Sequence, residues 1–263
     1  MQLSNDSFRA VVDLFHSISG IHLADAKRPL VEGRLHKLAQ GRGMARLDDY
    51  VQQLLAERDP LEIVRVVDKL TTNETFFFRE PQHFEFLAEL AEGHGGREPF
   101  RVWSAASSSG EEAYSIAMLL AEKLGPSGWE VIGTDLSTAM VDTARRGVYP
   151  LDRARHVPKE YLKRHCLRGH GDQEGRILIS RALRQHVRFQ PANLMESLPS
   201  IGSFDVIFLR NVLIYFDAPA KAAIVNRVAA LLKPHGYLFT GHAESLSNLA
   251  ISLRTVRTAV YSR

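Results

Sequence analysis

Cysteine is almost missing from this chain: Cys166 is the only one in 263 residues. An internal disulfide is thereby excluded, as is any metal site built from several thiolates. No apolar run approaches the ~20 residues that a membrane helix needs, although 45% of the residues are hydrophobic. The opening Met1–Asp6 has no basic segment followed by an apolar core, so no secretory signal is visible. A reducing, cytoplasmic setting without membrane insertion is the expectation. Excess charge is scarce too: a net +3, with 24% charged residues, gives no reason to expect nucleic acid as a partner. The 11 histidines are scattered. No spacing of His with Asp or Glu reads as a nucleophilic triad, a zinc site or a facial triad, so no metal is expected.

The segments that are present fall into two styles. Residues 1 to about 70 read as helices only. Phe8, Val11, Val12, Phe15 and Ile18 follow helical spacing, and further helices are expected over Asp48–Ala56 and from Pro60 to Leu70. Between Lys27 and Arg46 stand six basic residues (Lys27, Arg28, Arg34, Lys37, Arg42, Arg46) against one acid, Glu32. With Leu30, Val31, Leu35 and Leu38 this predicts an amphipathic helix with a basic face, either solvated or docking an acidic partner. From Pro81 the pattern alternates. Strands are expected at Phe100–Ala106, running into small residues, and at Trp129–Asp135, Phe204–Leu209 and Gly236–Gly241. Helices are expected at His83–Glu92, Gly110–Leu124, Ser137–Arg146 and Ala218–Leu232. Such alternation predicts a parallel, doubly wound α/β sheet with ligands at the carboxyl ends of its strands. Residues 158–192 interrupt it with a turn-rich stretch, Gly169–Gly175, and strand-like Ile177–Ile179 and Val187–Phe189, read as an inserted antiparallel element.

Five stretches carry candidate chemistry. Thr71–Arg79 joins five polar residues, three phenylalanines and an arginine without any period, as a site or as a helix end and an aromatic core plug. Ser104–Glu112 places small residues between a strand and a helix, where a ligand can approach the backbone. The dinucleotide pattern G-x-G-x-x-G is missing there, which argues against a pyrophosphate cradle. Glu111 and Glu112 would repel an anion and suit a cationic or hydroxyl-rich ligand; plain capping is the alternative. Asp135, closing the second strand, can accept from both ribose hydroxyls or cap the following helix. Asn193-Leu194 can read an adenine edge or form an ordinary turn. Arg210, Asn211 and Tyr215 follow the most apolar strand, where they can line a reacting centre, or Arg210 can pair with Asp217 or Glu244.

Thr71–Arg79, Trp103–Tyr114, Gly133–Asp135 and Phe204–Asp217 together resemble the CheR chemotaxis receptor methyltransferases, in the same order over nearly the whole chain. The resemblance implies an N-terminal helical bundle (1–78) and a Rossmann-like class I methyltransferase domain (79–263) with an inserted antiparallel β subdomain at about 158–190. It implies S-adenosylmethionine as cofactor, and methyl transfer to glutamate side chains of bacterial chemoreceptors by a monomer. Asn73, Thr75 and Arg79 would contact the cofactor or its reactive end. Glu112 and Asp135 would hold its amino acid portion or ribose, Asn193 and Leu194 would flank the adenine, and Arg210, Asn211 and Tyr215 would border cofactor and acceptor. Arg79 and Tyr215 are the candidates for positioning the acceptor carboxylate. A receptor C-terminal peptide could tether to the β subdomain, and the basic helix could meet glutamate-rich receptor helices. Ser109 and Ala113 depart from the family's usual Thr or Cys and Pro. The competing expectations are a regulatory protein that binds S-adenosylmethionine and a methyltransferase for another carboxylate.

Overall fold

The computed structural model describes residues 2–263. Four helices come first: α1 (Asn5–Ser19), α2 (Arg28–Gly41), α3 (Leu47–Glu57) and α4 (Pro60–Leu70). Their apolar stripes close on one another around Phe8, Phe15, Leu35, Tyr50 and Leu54. Ser4 caps α1 by accepting from the Ser7 N–H at 3.2 Å, and Asp59 caps α4 through the Leu61 N–H at 3.0 Å. Within this bundle Glu62 is buried, accepting from the Tyr50 hydroxyl at 2.6 Å and pairing with Arg42 and Arg65.

The basic face expected on α2 is smaller in the structure. Arg28 lies over the Phe8 ring, Arg34 donates to the carbonyls of Leu70 and Thr71, and Arg42 pairs with Glu57, Asp59 and Glu62. Lys27, Lys37 and Arg46 remain outward. Burial of an amphipathic helix against others draws long cationic side chains to nearby acids and carbonyl ends, which charge counting does not reveal.

After the aperiodic Thr71–Arg79 come α5 (Pro81–Glu92), β1 (Phe100–Ala105), α6 (Glu111–Leu124), β2 (Trp129–Asp135), α7 (Thr138–Arg146), β3 (Val148–Pro150), α8 (Lys159–His165), β4 (Cys166–Arg168), β5 (Arg176–Ile179), α9 (Arg181–Arg184), β6 (Val187–Pro191), β7 (Phe204–Leu209), α10 (Ala218–Ala229), β8 (Leu232–Thr240), β9 (Arg254–Arg257) and β10 (Val260–Ser262). The main sheet runs β6-β2-β1-β7-β8-β10-β9, parallel from β6 to β8, with β10 and β9 antiparallel at one edge. β1 and β7 are buried along nearly their whole length because helices cover both faces, with only Arg101 and Asp205 half-buried near their starts. Strand order reverses at β1, whose neighbours are β2 on one side and β7 on the other, so a crevice opens at their carboxyl ends.

Three expectations are adjusted. The small antiparallel sheet is β3-β5-β4. It recruits Val148–Pro150 from ahead of residue 158, while Val187–Pro191 extends the main sheet in parallel with β2. The helix expected to reach Leu232 stops at Ala229, because Leu232 already pairs with Phe204 in β8. Sequence pattern does not announce the β9–β10 hairpin: every residue of β9 is exposed, so it lacks the apolar alternation that marks a strand.

The helical domain is fastened over the crevice by few but specific contacts. Asp68 of α4 accepts from Thr138 Oγ1 at 3.1 Å, Asn193 Nδ2 donates to the Ile18 carbonyl at 2.7 Å, and the His22 N–H reaches the Tyr215 carbonyl at 3.5 Å. Gly20 has φ +71°, and a Cβ there would sit 2.7 Å from Met195 Cγ. Only glycine permits both that turn and that approach. Among the described residues no helix is long and apolar enough to cross a membrane.

Candidate active site

The lip of the crevice is Thr71–Arg79. Arg34 pins its start by donating to the Leu70 and Thr71 carbonyls at 2.8 and 3.0 Å. Ser108 Oγ holds the Asn73 carbonyl at 3.1 Å, Arg153 the Thr75 carbonyl at 3.0 Å, and Ser115 Oγ accepts from the Phe78 N–H at 3.0 Å. The three phenylalanines separate. Phe77 is wholly buried, edge-on to Tyr149 with ring centroids 5.1 Å apart, and Phe78 packs on Phe84 at 5.0 Å. Only Phe76 lines the crevice, with the Arg79 guanidinium 5.5 Å from its ring centroid. Phe78 and Glu80, either side of Arg79, have φ of +55° and +58°. Non-glycine residues bear strain there and hold it only where surrounding contacts over-determine the backbone. One such contact is Arg210 Nη2, which donates to the Arg79 carbonyl at 2.5 Å.

The strand ends supply the floor. Beyond β1, Ala106 and Ser108 also take left-handed φ values, +61° and +48°. That turn aims the Ser108 N–H at Asp135 Oδ2, 2.7 Å away, while the Ser137 N–H reaches Oδ1 at 2.9 Å. Ser137, not Asp135, caps α7, accepting from the Met140 N–H at 3.3 Å. Burial pushes the Asp135 carboxyl up to about 6, against the pull of those two N–H donors and with a further push from Asp68.

Glu111 and Glu112 face opposite ways. Glu111 is buried behind the turn, accepting from Ser109 Oγ at 2.6 Å and Arg153 at 2.9 Å. Glu112 lines the crevice, with one oxygen 2.7 Å from Ser104 Oγ and the other 3.4 Å from Arg210 Nη1. Burial raises its pKa, opposed chiefly by Arg210. Arg210 is 1% exposed and pairs with Glu80 at 3.2 Å as well as Glu112, rather than with Asp217 or Glu244. Asp217 instead caps α10. Glu244 is occupied by the N–H groups of Asn211, Gly241 and Ile214 at 2.7, 2.7 and 3.2 Å. Beside this network Glu80 is held below the ordinary glutamate range: burial opposes its charge, but Arg210 and Asn211 outweigh it. His83, buried and facing Arg210, is lowered to about 4 and is neutral.

All ten residues singled out from sequence meet around one cavity of about 290 Å³: Asn73, Thr75, Arg79, Glu112, Asp135, Asn193, Leu194, Arg210, Asn211 and Tyr215. That volume lies near the lower end of small-molecule sites, roughly 300–1,000 Å³. Tyr215 is half-buried, and burial, with the nearby Glu74, raises its phenol. Asn193 differs from its expected use. Its amide nitrogen already donates to the Ile18 carbonyl and to Glu196, and its amide oxygen accepts from the Met195 N–H. The side chain acts as a clamp between the two domains while Asn193 still lines the cavity. Sequence reasoning missed the helical domain's share of the wall, Ser19 and Ile21 to Ala24, with Lys27 and Leu30 read only as part of a docking helix, and also Leu136. The break at Gly20, followed by Ile21 and Leu23 outside any helix, was the available signal.

Residues 6–71 match the family described as CheR methyltransferase, all-alpha domain, and residues 73–262 match CheR methyltransferase, SAM binding domain. The chain is 40% identical over 265 residues to a chemotaxis protein methyltransferase of Salmonella typhimurium, covering 100% of this chain and 91% of that protein. It is 41% identical over 263 residues to chemotaxis protein methyltransferase 2 of Pseudomonas aeruginosa, covering 98% and 93%. The corresponding Escherichia coli protein is 40% identical over 252 residues, covering 95% and 87%. S-adenosylmethionine, SAM, fits the residues present. The cavity has its size class, the buried Asp135 and the 14% exposed Glu112 offer acceptors for hydroxyls and an ammonium group, and Ser107 Oγ is buried without a partner. From the match over both domains and the likeness to these relatives, the chain belongs to the CheR family of SAM-dependent chemotaxis methyltransferases.

Proposed function

We propose that the protein methylates glutamate side chains of bacterial chemoreceptors, forming glutamate methyl esters. The observation that carries this reading is the sorting of charge in the cavity. Its deeper wall holds two carboxylates, the buried Asp135 and the 14% exposed Glu112, the latter paired with buried Arg210, whereas the half-buried Arg79 and Tyr215 at the lip are donors suited to a carboxylate. When bound, SAM supplies an electrophilic methyl group on a positively charged sulfur. The Asp135 carboxylate accepts from the ribose hydroxyls and Glu112 from the amino group. The Leu194 side chain and the Asn193 backbone flank the adenine, and Asn73, Thr75 and Asn211 border the reactive end.

An acceptor glutamate is ionised at neutral pH, its ordinary pKa being ~4.3, so no general base has to remove a proton. What the chain's own residues contribute is placement. Arg79, fixed by the Arg210 contact to its carbonyl and by its place over Phe76, orients the incoming carboxylate together with the Tyr215 hydroxyl. Its guanidinium stays half-exposed and makes one long bond, 3.3 Å, to the Glu74 carbonyl. A loose grip suits the reaction, since strong stabilisation of the ground-state anion would slow attack.

The receptor docks on the helical domain, with Lys27 and Lys37 as the free cationic groups of its α2 region. The outer edge of β4, with Leu167 58% exposed, is where a receptor C-terminal peptide would add as a strand. The enzyme acts as a cytoplasmic monomer, with domains meeting at the lip near residue 78. The deciding assay incubates the protein with methyl-labelled SAM and a chemoreceptor cytoplasmic fragment. Base-labile label on receptor glutamates is expected, falling at least about a hundredfold in Arg79→Ala if positioning is its role. Absence of base-labile label, or full transfer by Arg79→Ala, overturns the assignment.

A further inference from the structure

Three side chains that the transfer does not use meet beside the cavity: Glu80, His83 and His242, the last following β8. One ligating atom from each lies within 4.8 Å of the others. His83 Nδ1 is 3.4 Å, and His242 Nδ1 3.9 Å, from the same oxygen, Glu80 Oε2. That oxygen and both ring nitrogens of His83 are buried without a hydrogen-bond partner. Orphaned buried polar atoms cost about 1–3 kcal/mol each; here His83 Nδ1 faces Glu80 Oε2, whose one close partner is Arg210 at 3.2 Å, and a species bound between them would satisfy both. Nitrogen and oxygen ligands at ~2.0–2.1 Å around a tetrahedral ion stand about 3.4 Å apart. The two Glu80 separations, 3.4 and 3.9 Å, lie near that spacing, and the imidazole nitrogens, within 4.8 Å of each other, have to close by up to about 1.4 Å.

We propose that Glu80, His83 and His242 form a binding site for a divalent transition cation of the zinc class, with water completing the fourth position. Two imidazoles and one carboxylate select such ions over magnesium or calcium, which favour all-oxygen shells. His242 is 42% exposed and gives the ion its way in, while Glu80 and His83 close the site from within. Arg210, 3.2 Å from Glu80 Oε2, opposes a cation, but it faces two carboxylates, Glu80 and Glu112. Glu80 can turn Oε2 to the ion while its other oxygen keeps the Asn211 amide at 3.3 Å, leaving Arg210 to Glu112.

The test uses the full chain stripped with a chelator, titrated with zinc chloride by calorimetry and with cobalt chloride by visible absorption. One saturable site is expected, with the d–d bands of four-coordinate cobalt. His242→Ala, at an exposed position that spares the fold, should weaken zinc by more than about tenfold and abolish those bands. Glu80→Gln should do the same, with circular dichroism reporting that each variant is folded. No saturable site in the unmodified chain, or equal zinc binding in His242→Ala, overturns the proposal. The second result would assign the binding to other histidines.

Discussion

Replacing Asp135 by Asn tests the centre of the cofactor reading. Each Asp135 oxygen already accepts one backbone N–H, from Ser108 at 2.7 Å and Ser137 at 2.9 Å. A carboxylate oxygen has two lone pairs, so one acceptor position per oxygen remains for a ribose hydroxyl. Asn keeps a single acceptor atom and turns its amide toward an N–H donor. Hydrogen bonds to a charged acceptor contribute about 1.5–3 kcal/mol each, so losing one or both weakens S-adenosylhomocysteine by roughly 10- to 1,000-fold or more. The unmodified chain carries a second signature. With the carboxyl at about 6, only some tenth of the molecules are ionised at pH 5, so apparent affinity falls about tenfold from its plateau near pH 8. The amide of Asp135→Asn cannot titrate, so the variant loses the part of that pH dependence which Asp135 supplies. Stability runs the other way in the ligand-free chain. A carboxyl raised in the fold makes ionisation unfavourable, so this group's cost is absent below pH ~4, grows as pH rises and is complete above about 6. Calorimetric titration with S-adenosylhomocysteine from pH 5 to 8 measures binding, and thermal melts measure the rest. A variant that binds within threefold of the unmodified chain, or that retains its pH dependence, refutes the ribose assignment.

Two further substitutions probe the frame. Tyr50→Phe removes the 2.6 Å hydrogen bond to buried Glu62 and should cost about 1.5–3 kcal/mol in chemical denaturation, because a carboxylate loses a donor out of water; a loss under about 0.5 kcal/mol would mean that Arg42 and Arg65 satisfy Glu62 unaided. Asn193→Ala should lower stability by about 1–3 kcal/mol through the Ile18 clamp. It should weaken S-adenosylhomocysteine and its base-modified analogues by the same factor, whereas a change in base preference would return the side chain to adenine recognition.

Much of the site was legible because its residues sit at positions that any parallel sheet exposes. The ends of β1, β2 and β7 are fixed by apolar runs, and Glu112, Asp135 and Arg210 follow from them. The first helices were equally legible, since Phe8, Val11 and Phe15 obey a local period. What escaped was decided by partners far along the chain. Nothing near Phe77 says that Tyr149 will bury it while Phe76 stays at the cavity. Val187–Pro191 alternates as well for a sheet edge as for an inserted hairpin, and only pairing with β2 decides. The basic helix misled because charge was counted without carbonyl ends, and Arg34 found two of them. The His83–His242 meeting joins the start of α5 to the turn after β8, a contact no sequence spacing announces.

Arg210 reaches three separate parts of the chain at once: the Arg79 carbonyl in the lip, Glu80 at the head of α5 and Glu112 in the first turn of α6. A side chain so placed ties their fates together. The lip cannot peel away without stripping a buried guanidinium of partners, a loss on the order of 3–5 kcal/mol. In amide exchange the lip beside Arg79 should behave as part of the sheet it borders, and not as the loop it resembles in sequence.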